Sequence, residues 1–315
     1  MMPPNTLVTG ASGFIGRHLV DRLLRADRPV SVLARPGSLL PERFRDRIKL
    51  IECADWSEGG LRQAIDRHDI AVIFHLAAYG TNPGHRDVDQ ARHINVDASA
   101  ALVRLCKDRG ARLVIAGTFS EYQAAARRVP LTEIAPLETT KIYGASKAAG
   151  ESVASELAGD LGVRLRILRL FHVYGQGEAA HRLLPSLVSG LSQGRRVPLS
   201  PGTQVRDFIY VADVIEAFLQ ANAHMELDGQ PLTWNVCTGV GHSISEFALI
   251  VADLMGARRE LLGFGDLELR EDDLPWIVGN AERISAALGW KPQHDLISGL
   301  QAAVTSIMAN ERLNA

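Results

Sequence analysis

Tyr143 and Lys147, in the stretch YGASK, place a phenol and an ammonium four residues apart. On a helix that spacing puts both on one face. A tyrosine is a poor acid at neutral pH, with an unperturbed pKa of about 10, and a neighbouring ammonium stabilises its phenolate. The pair could then exchange a proton with a carbonyl or alcohol oxygen near neutrality. Alone, the spacing recurs on many helices and describes a surface pair. Thr118 shifts that balance. It stands in AGTFSEYQ, residues 116 to 123, just after the apolar run Leu113-Val114-Ile115. Ligands of open α/β sheets bind at the carboxyl ends of the strands, so a hydroxyl there can reach the same substrate oxygen. Asn95 is the next polar group of interest. Ala91, Asn95, Ala98 and Leu102 share one helix face, so an amide interrupts a buried stripe, and a buried amide needs partners. A structural and a catalytic role both meet that need.

These groups need a scaffold, and the chain supplies a regular one. Thr6 to Thr9, Val30 to Leu33, Lys49 to Ile51, Ala71 to Phe74, Arg112 to Ala116 and Arg164 to Leu170 read as short apolar strands. Helical spacing lies between them, at Phe14 to Leu24 and Val88 to Lys107. Continuous apolar strands separated by helices predict a parallel sheet covered on both faces, a doubly wound α/β (Rossmann) domain. After Gly175 the rhythm changes. Pro185, Pro198 and Pro201 break the pattern, and shorter helices and one strand, Thr233 to Cys237, are expected. The division predicted is a dinucleotide-binding domain over 1–173 and a smaller C-terminal lobe for substrate over 174–315, with some segments returning to the first.

With 315 residues, 46% of them hydrophobic, the chain can bury a large core. It carries 34 basic and 36 acidic residues for a formal net charge of −2, with no long run of one sign. Nothing there favours nucleic acid or an anionic membrane. Cys53, Cys106 and Cys237 lack metal-ligand spacing and read as small buried hydrophobes, so no metal is expected. No signal peptide or membrane-length apolar run stands out, and a cytoplasmic protein is the expectation.

TGASGFIG, residues 9 to 16, follows the first strand and opens a helix. Gly10 permits the tight turn, Gly13 lets backbone approach a pyrophosphate, and Gly16 lets helix and sheet pack closely. The helix N-terminus adds free N–H groups and partial positive charge. In that context the trio predicts a dinucleotide. The second strand ends in Ala34 and Arg35, where an NAD site commonly has an acid for the ribose 2′-hydroxyl. A cation without an acid favours NADP(H), with NAD(H) possible if Arg35 is only a solvated loop residue.

The motifs TGASGFIG, HLAA at 75 to 78, INVDA at 94 to 98, YGASK, RLFHVYG at 169 to 175, RDFIYVADV at 206 to 214 and LGWKP at 288 to 292 occur in one order along nearly the whole chain. Together they resemble the extended short-chain dehydrogenase/reductase family, in its nucleotide-sugar epimerase/dehydratase branch. The resemblance implies that Tyr143 is the general acid/base, Lys147 its partner, and Thr118 the hydroxyl at the sugar C4 oxygen. It implies a cofactor lined by Gly10, Ser12, Gly13, Phe14, Ile15, Gly16, Arg35, Asp55, Trp56, Leu76, Ala77, Ala78, Asn95, Ala116, Tyr143, Lys147, Leu170 and Phe171. Asp55 fits the acid that contacts adenine. A nucleotide-sugar substrate would meet Thr118, Phe119, Ser120, Tyr143, His172, Arg206 and Arg270, with Arg206 gripping the diphosphate. His172 stands where the family usually has Asn, as a ligand contact or a buried imidazole. Relatives commonly form homodimers through a four-helix bundle, here the helices around 88 to 107 and 143 to 160, with Val103 and Ala154 as contact positions.

Three reactions share such a scaffold. A 4,6-dehydratase of this family has an Asp-Glu pair, or at least a Glu, after the catalytic Thr. Here Phe119 and Ser120 follow, and Glu121 on a strand-like exit should point away. A 4-epimerase keeps its cofactor bound through the cycle, and most resemble NAD users. A 4-ketoreductase exchanges cofactor and uses NADPH. The stretch LREDDLPWIVGNAERISAALGWKP also resembles the C-terminal part of GDP-4-keto-6-deoxy-mannose reductases and GDP-mannose dehydratases, although Asn280 stands where the family often has Asp. The reading reached is NADPH-dependent reduction of the C4 keto group of a GDP-, CDP- or dTDP-linked 4-keto-6-deoxyhexose. A 4-epimerase is the alternative, and a non-catalytic dinucleotide sensor a distant one that the intact Thr118, Tyr143 and Lys147 set argues against.

Overall fold

The computed structural model describes residues 5–82, 84–123, 128–225, 230, 232–270 and 273–314. Strands β1 (Thr6–Thr9), β2 (Val30–Ala34), β3 (Lys49–Glu52), β4 (Val72–His75), β5 (Arg112–Thr118) and β6 (Leu165–Leu170) form most of a seven-stranded sheet. Its order is β3-β2-β1-β4-β5-β6, and the strand Leu232–Val236 closes the edge beside β6. β1 runs parallel to β2 and β4, and β5 parallel to β4 and β6. Nearly every residue of β1, β2, β4 and β6 is buried, the signature of a sheet covered on both faces. This is the parallel, helix-flanked Rossmann architecture expected.

Contacts divide the chain into two units. The first comprises Met1–Gln123, Glu133–Leu170 and Ile215–Asn235, and the second Ala124–Thr132, Phe171–Val214 and Val236–Ala315. In the first, helices α1 (Phe14–Arg25), α2 (Glu58–Ile65), α3 (Val88–Arg92), α4 (Ala98–Arg109) and α5 (Ile142–Leu161) alternate with the strands. Leu7, Ile73, Ile115 and Ile167 of the sheet share one core with Leu61, Leu102 and Ala154 of the helices. Val103 and Ala154, expected at a subunit contact, are both fully buried in this core of a single chain. They are packing residues. Cys53, Cys106 and Cys237 are buried free thiols, as expected. Among the described residues no helix is long and apolar enough to cross a membrane.

The helix expected from Val88 to Lys107 is interrupted. Residues His93–Asp97 form a π turn between α3 and α4. A π turn replaces the regular backbone bonds of the helix with i→i+5 bonds over one turn. Asn95 is at its centre and is 1% exposed. Gly150 of α5 makes room for the bulge, since a Cβ there would lie 2.0 Å from the Asn95 carbonyl oxygen.

The second unit holds helices Leu183–Ser192 and Ile244–Leu254 and several two- and three-residue strands, where the sequence suggested shorter helices and the one strand from Thr233 to Cys237. His172–Tyr174 pairs in parallel with Phe208–Tyr210, and Val197–Leu199 with Leu262–Phe264. Strands this short carry too few residues for an alternating pattern to show. Tyr174, Phe208 and Phe247 meet edge-on or tilted at the centre of this unit, with ring centroids 4.5–6.4 Å apart. The Asp207 carboxylate accepts from the backbone N–H groups of Thr238, Gly239 and Gly279 and ties their loops together.

Candidate active site

The glycine loop has the geometry its sequence predicts. Gly10 sits at φ +72, where a Cβ would come within 2.6 Å of the Ala77 nitrogen. Gly16 packs so tightly that a Cβ would lie 2.2 Å from the Gly10 carbonyl oxygen. Gly13 is the N-cap of α1, no side chain caps that helix end, and no acid lies in its first turn. The N–H groups there are open to an anion, and the partial positive charge is unopposed. This cradle fits a dinucleotide pyrophosphate. Gly10→Ala should lower Tm by about 2–8 °C, from the left-handed backbone and the backbone clash, and weaken dinucleotide binding. A thermal melt and a cofactor titration check it.

Of the other residues expected to line the cofactor, Ser12, Phe14, Ile15, Leu76, Ala77, Ala78 and Ala116 are partly exposed. Arg35 is exposed directly after β2. Asp55 is exposed and accepts from the Ser57 N–H and hydroxyl at 2.8 and 2.7 Å, and these bonds hold its carboxyl below the usual range. Trp56 is 5% exposed and gives its indole N–H to the Cys53 carbonyl, so its ring belongs to the core. Leu170 and Phe171 are buried as well, the latter in the second unit. Thr9, at the end of β1, was not singled out from sequence and ties that strand to the end of β4 and the residues after it. Its hydroxyl accepts from Ala77 N–H and lies 2.8 Å from His75 Nδ1. Burial, then the charge of Lys147, depresses the His75 imidazole to about 3, so it is neutral.

Tyr143 and Lys147 lie one turn apart near the start of α5. Lys147 is 5% exposed and donates to the Ala116 carbonyl at 2.8 Å, tying α5 to β5. Thr118 ends β5, and its hydroxyl accepts from Ser120 N–H. The turn that follows packs on α5 so closely that a Cβ on Gly144 would lie 2.1 Å from the Ser120 carbonyl oxygen. Thr118 is thereby delivered to the turn of helix that carries Tyr143. Gly80 closes another side, since its Cβ position is 2.8 Å from the Tyr143 ring. Asn95 holds that loop by accepting from Tyr79 N–H and donating to the Tyr79 carbonyl, each at 2.9 Å, and it donates to Ser146 as well. Asn95 thus organises the backbone around Tyr143.

Glu121 departs from expectation. The chain does not leave β5 as an extended strand. Residues Phe119–Glu121 form a 3₁₀ turn with a capping box. Glu121 folds back under Thr118, is 0% exposed, and accepts from Thr118 N–H at 2.7 Å. Beneath it, Arg169 of β6 grips Glu151 of α5 through two bonds of 2.9 and 2.6 Å. Thr233 donates to the same carboxylate. Glu138 caps the approach to α5, accepting from the N–H groups of Thr139, Thr140 and Lys141 and from the Thr140 hydroxyl. Glu138 and Glu151 were not singled out from sequence. Arg169 and Glu151 left a signal, since a charge within the apolar run of a doubly covered strand must be paired.

The residues expected to meet substrate divide between the two units. Thr118, Phe119, Ser120 and Tyr143 belong to the first, and His172, Arg206 and Arg270 to the second. His172 lies edge-on to Phe208, and burial, then Arg206 and Arg182, hold its imidazole well below the ordinary value. It is a neutral, largely enclosed ring. Arg206 is 6% exposed, donates to the Val205 and Leu274 carbonyls, and pairs with the Asp273 carboxylate. In this state the guanidinium serves a loop. Arg270 is exposed. Its neighbours Glu271 and Asp272, part of the C-terminal stretch compared with reductases, lie outside the described residues.

A Rossmann sheet with a glycine cradle and a Thr, Tyr and Lys set at one strand end defines a dinucleotide-dependent oxidoreductase of the extended short-chain class. The chain belongs to the NAD dependent epimerase/dehydratase family, whose model matches residues 6–237. It is 29% identical to the UDP-glucose 4-epimerase of Azospirillum brasilense over 96% of this chain and 91% of that protein. It is 27% identical to the GDP-6-deoxy-D-mannose reductase of Pseudomonas aeruginosa over 96% of this chain and 97% of that one. The crystal structure of a UDP-glucose 4-epimerase with UDP-glucose from Thermotoga maritima superposes with a TM-score of 0.86 at 25% identity, covering 98% of this chain and 99% of that chain. The family is thus one of nucleotide-sugar epimerases, dehydratases and reductases.

Proposed function

We propose that the protein is an NADPH-dependent reductase of the C4 keto group of a nucleotide-linked 4-keto-6-deoxyhexose. The observation that carries this reading is the end of β2, where buried Ala34 is followed by exposed Arg35 and neither position is an acid. A guanidinium there suits a 2′-phosphate, and NADPH suits net reduction. NADP(H) would be held by Gly10, Gly13 and the N-terminus of α1 at the pyrophosphate, by Arg35 at the 2′-phosphate, and by Lys147 at the nicotinamide ribose. When bound, it supplies the hydride for sugar C4. Tyr143 gives a proton to the nascent alkoxide, and Thr118 holds that oxygen. Dehydration at C5 and C6 is disfavoured by Phe119 and Ser120 at the positions after Thr118. Glu121 does not fill that gap, because it is fully enclosed.

The test follows nicotinamide absorbance after mixing enzyme, NADPH and a GDP-, CDP- or dTDP-linked 4-keto-6-deoxyhexose. Oxidation of NADPH is expected, and its absence with every such sugar rejects the reading. Arg35→Asp should shift the kcat/KM preference from NADPH toward NADH by about 10- to 100-fold, the worth of one charge-assisted hydrogen bond to phosphate. A 4-epimerase is the second reading, favoured by the likeness to the Azospirillum enzyme. It predicts cofactor that copurifies and interconversion of saturated sugars without net nicotinamide turnover. We place the enzyme in the cytoplasm as a homodimer, which light scattering tests for the assembly.

A further inference from the structure

The buried charges beneath Lys147 do not balance one to one. Arg169 meets Glu151 as a fork, its Nε 2.9 Å from Oε2 and its Nη2 2.6 Å from Oε1, and Thr233 adds a third donor. Glu151 is fully served. Glu121 is not. Its Oε1 accepts from Thr118 N–H, but its Oε2 is buried and takes no hydrogen bond among the described residues. Arg169 Nε stands 3.5 Å from that oxygen and directs its N–H to Glu151. An ionised oxygen enclosed without a donor is costly, and water cannot reach a side chain that is 0% exposed. Two carboxylates can bond each other only when one carries a proton.

We propose that Glu121 is a positioning residue that holds the proton of a shared Glu121–Glu151 pair beneath Lys147, fixing the Thr118 backbone without adding a second buried negative charge. This rests on the reading of Thr118 and Tyr143 as the reacting pair. The surroundings agree. Burial, then Glu151, pushes the Glu121 carboxyl well above the ordinary range. Burial opposes ionisation of Glu151, but Glu121 and Arg169 beside it outweigh that cost and hold its carboxyl low. Burial also lowers the Lys147 ammonium, against the pull of both acids. Among the described residues, the other groups facing the cluster are Tyr122, whose ring lies 4.7 Å from the Arg169 guanidinium, Glu133, whose carbonyl accepts from Arg169, and neutral His75. The pair then offsets Arg169 alone. The Lys147 charge is left to face the catalytic tyrosine, which is where a phenolate develops when Tyr143 gives up its proton.

The test compares wild type with Glu121→Gln and Glu121→Ala. Infrared difference spectra at neutral pH should show a protonated carboxyl band in wild type that moves in D₂O and disappears in Glu121→Gln. The wild-type proton is bound more tightly folded than unfolded, so stability is full below the unfolded value of about 4.3 and declines as pH rises through the folded value. Glu121→Gln should flatten that decline. In the reductase assay Glu121→Gln still accepts from Thr118 N–H and should keep kcat within about 3-fold, with the pH profile in place, since no charge is lost. Glu121→Ala leaves the Thr118 N–H unpaired and should lower kcat about 10-fold or more. An absent band, an unflattened stability curve, or a pH profile displaced in Glu121→Gln would overturn the proposal. The infrared and stability readings need no substrate, so they decide it even if no keto sugar is reduced.

Discussion

Replacing Tyr143 by Phe should lower kcat by about 10²- to 10⁴-fold, the range over which a positioned acid or base contributes. The phenol oxygen is the only atom removed. The ring that Gly80 packs against stays, so the loop from Tyr79, held by Asn95, keeps its place. Binding of the dinucleotide, which rests on the glycine cradle, should change little. Steady-state rates with a 4-keto sugar and a fluorescence titration with NADPH separate the two effects. A comparable loss of cofactor affinity would mean that the hydroxyl serves binding and that another group moves the proton. Lys147→Met should also slow the reaction, but with a cost in folding, because its ammonium ties α5 to the Ala116 carbonyl. For that reason Tyr143→Phe is the cleaner probe of the chemistry.

Arg169→Met should destabilise the chain by about 3–5 kcal/mol, the cost of removing one partner of a buried ion pair. Arg169 is 3% exposed and Glu151 9%, so neither charge has solvent to fall back on. Without the guanidinium, Glu151 keeps only the Thr233 hydroxyl as a donor among the described residues. The Glu133 carbonyl also loses a donor. The effect should depend on pH in a definite direction. Glu151 is held low in the folded wild type, so its stabilising contribution is present above the unfolded value of about 4.3 and lost as pH falls through the folded value. The difference between wild type and Arg169→Met should therefore be largest near neutrality and shrink in acid. Urea unfolding at several pH values measures it. A second change, Glu151→Gln, made on top of Arg169→Met should recover part of the loss, because it removes the stranded charge. A penalty that is small and flat with pH would show that the pair contributes little.

Much of the molecule was legible because local patterns report local structure. The apolar runs at Thr6 to Thr9 and Val30 to Leu33 are strands because a sheet covered on both faces buries every residue of its inner strands. Gly10, Gly13 and Gly16 were readable as a cradle from their spacing after the first strand, and at Gly10 and Gly16 only a residue without a Cβ fits the approach. The phenol and ammonium at 143 and 147 follow from helical spacing alone. Arg35 at the end of β2 was legible in the same way, as a residue type at a position the strand pattern locates.

What local pattern could not decide is where the chain bends and which charges meet. The break in the helix at His93–Asp97 depends on Asn95 finding Tyr79 and Ser146, partners 16 and 51 residues away. Val103 and Ala154 carry the same apolar signal whether they face a partner or the core, and only packing assigns them to the core. Glu121 illustrates the limit most clearly. Its place after Thr118 suggested an acid turned away from the site. The tertiary fold closes a 3₁₀ turn there and sets the acid under Thr118, beside Glu151 from α5 and Arg169 from β6. A buried charge is tolerable only when its partners are in place, and those partners come together only when the sheet and α5 have packed.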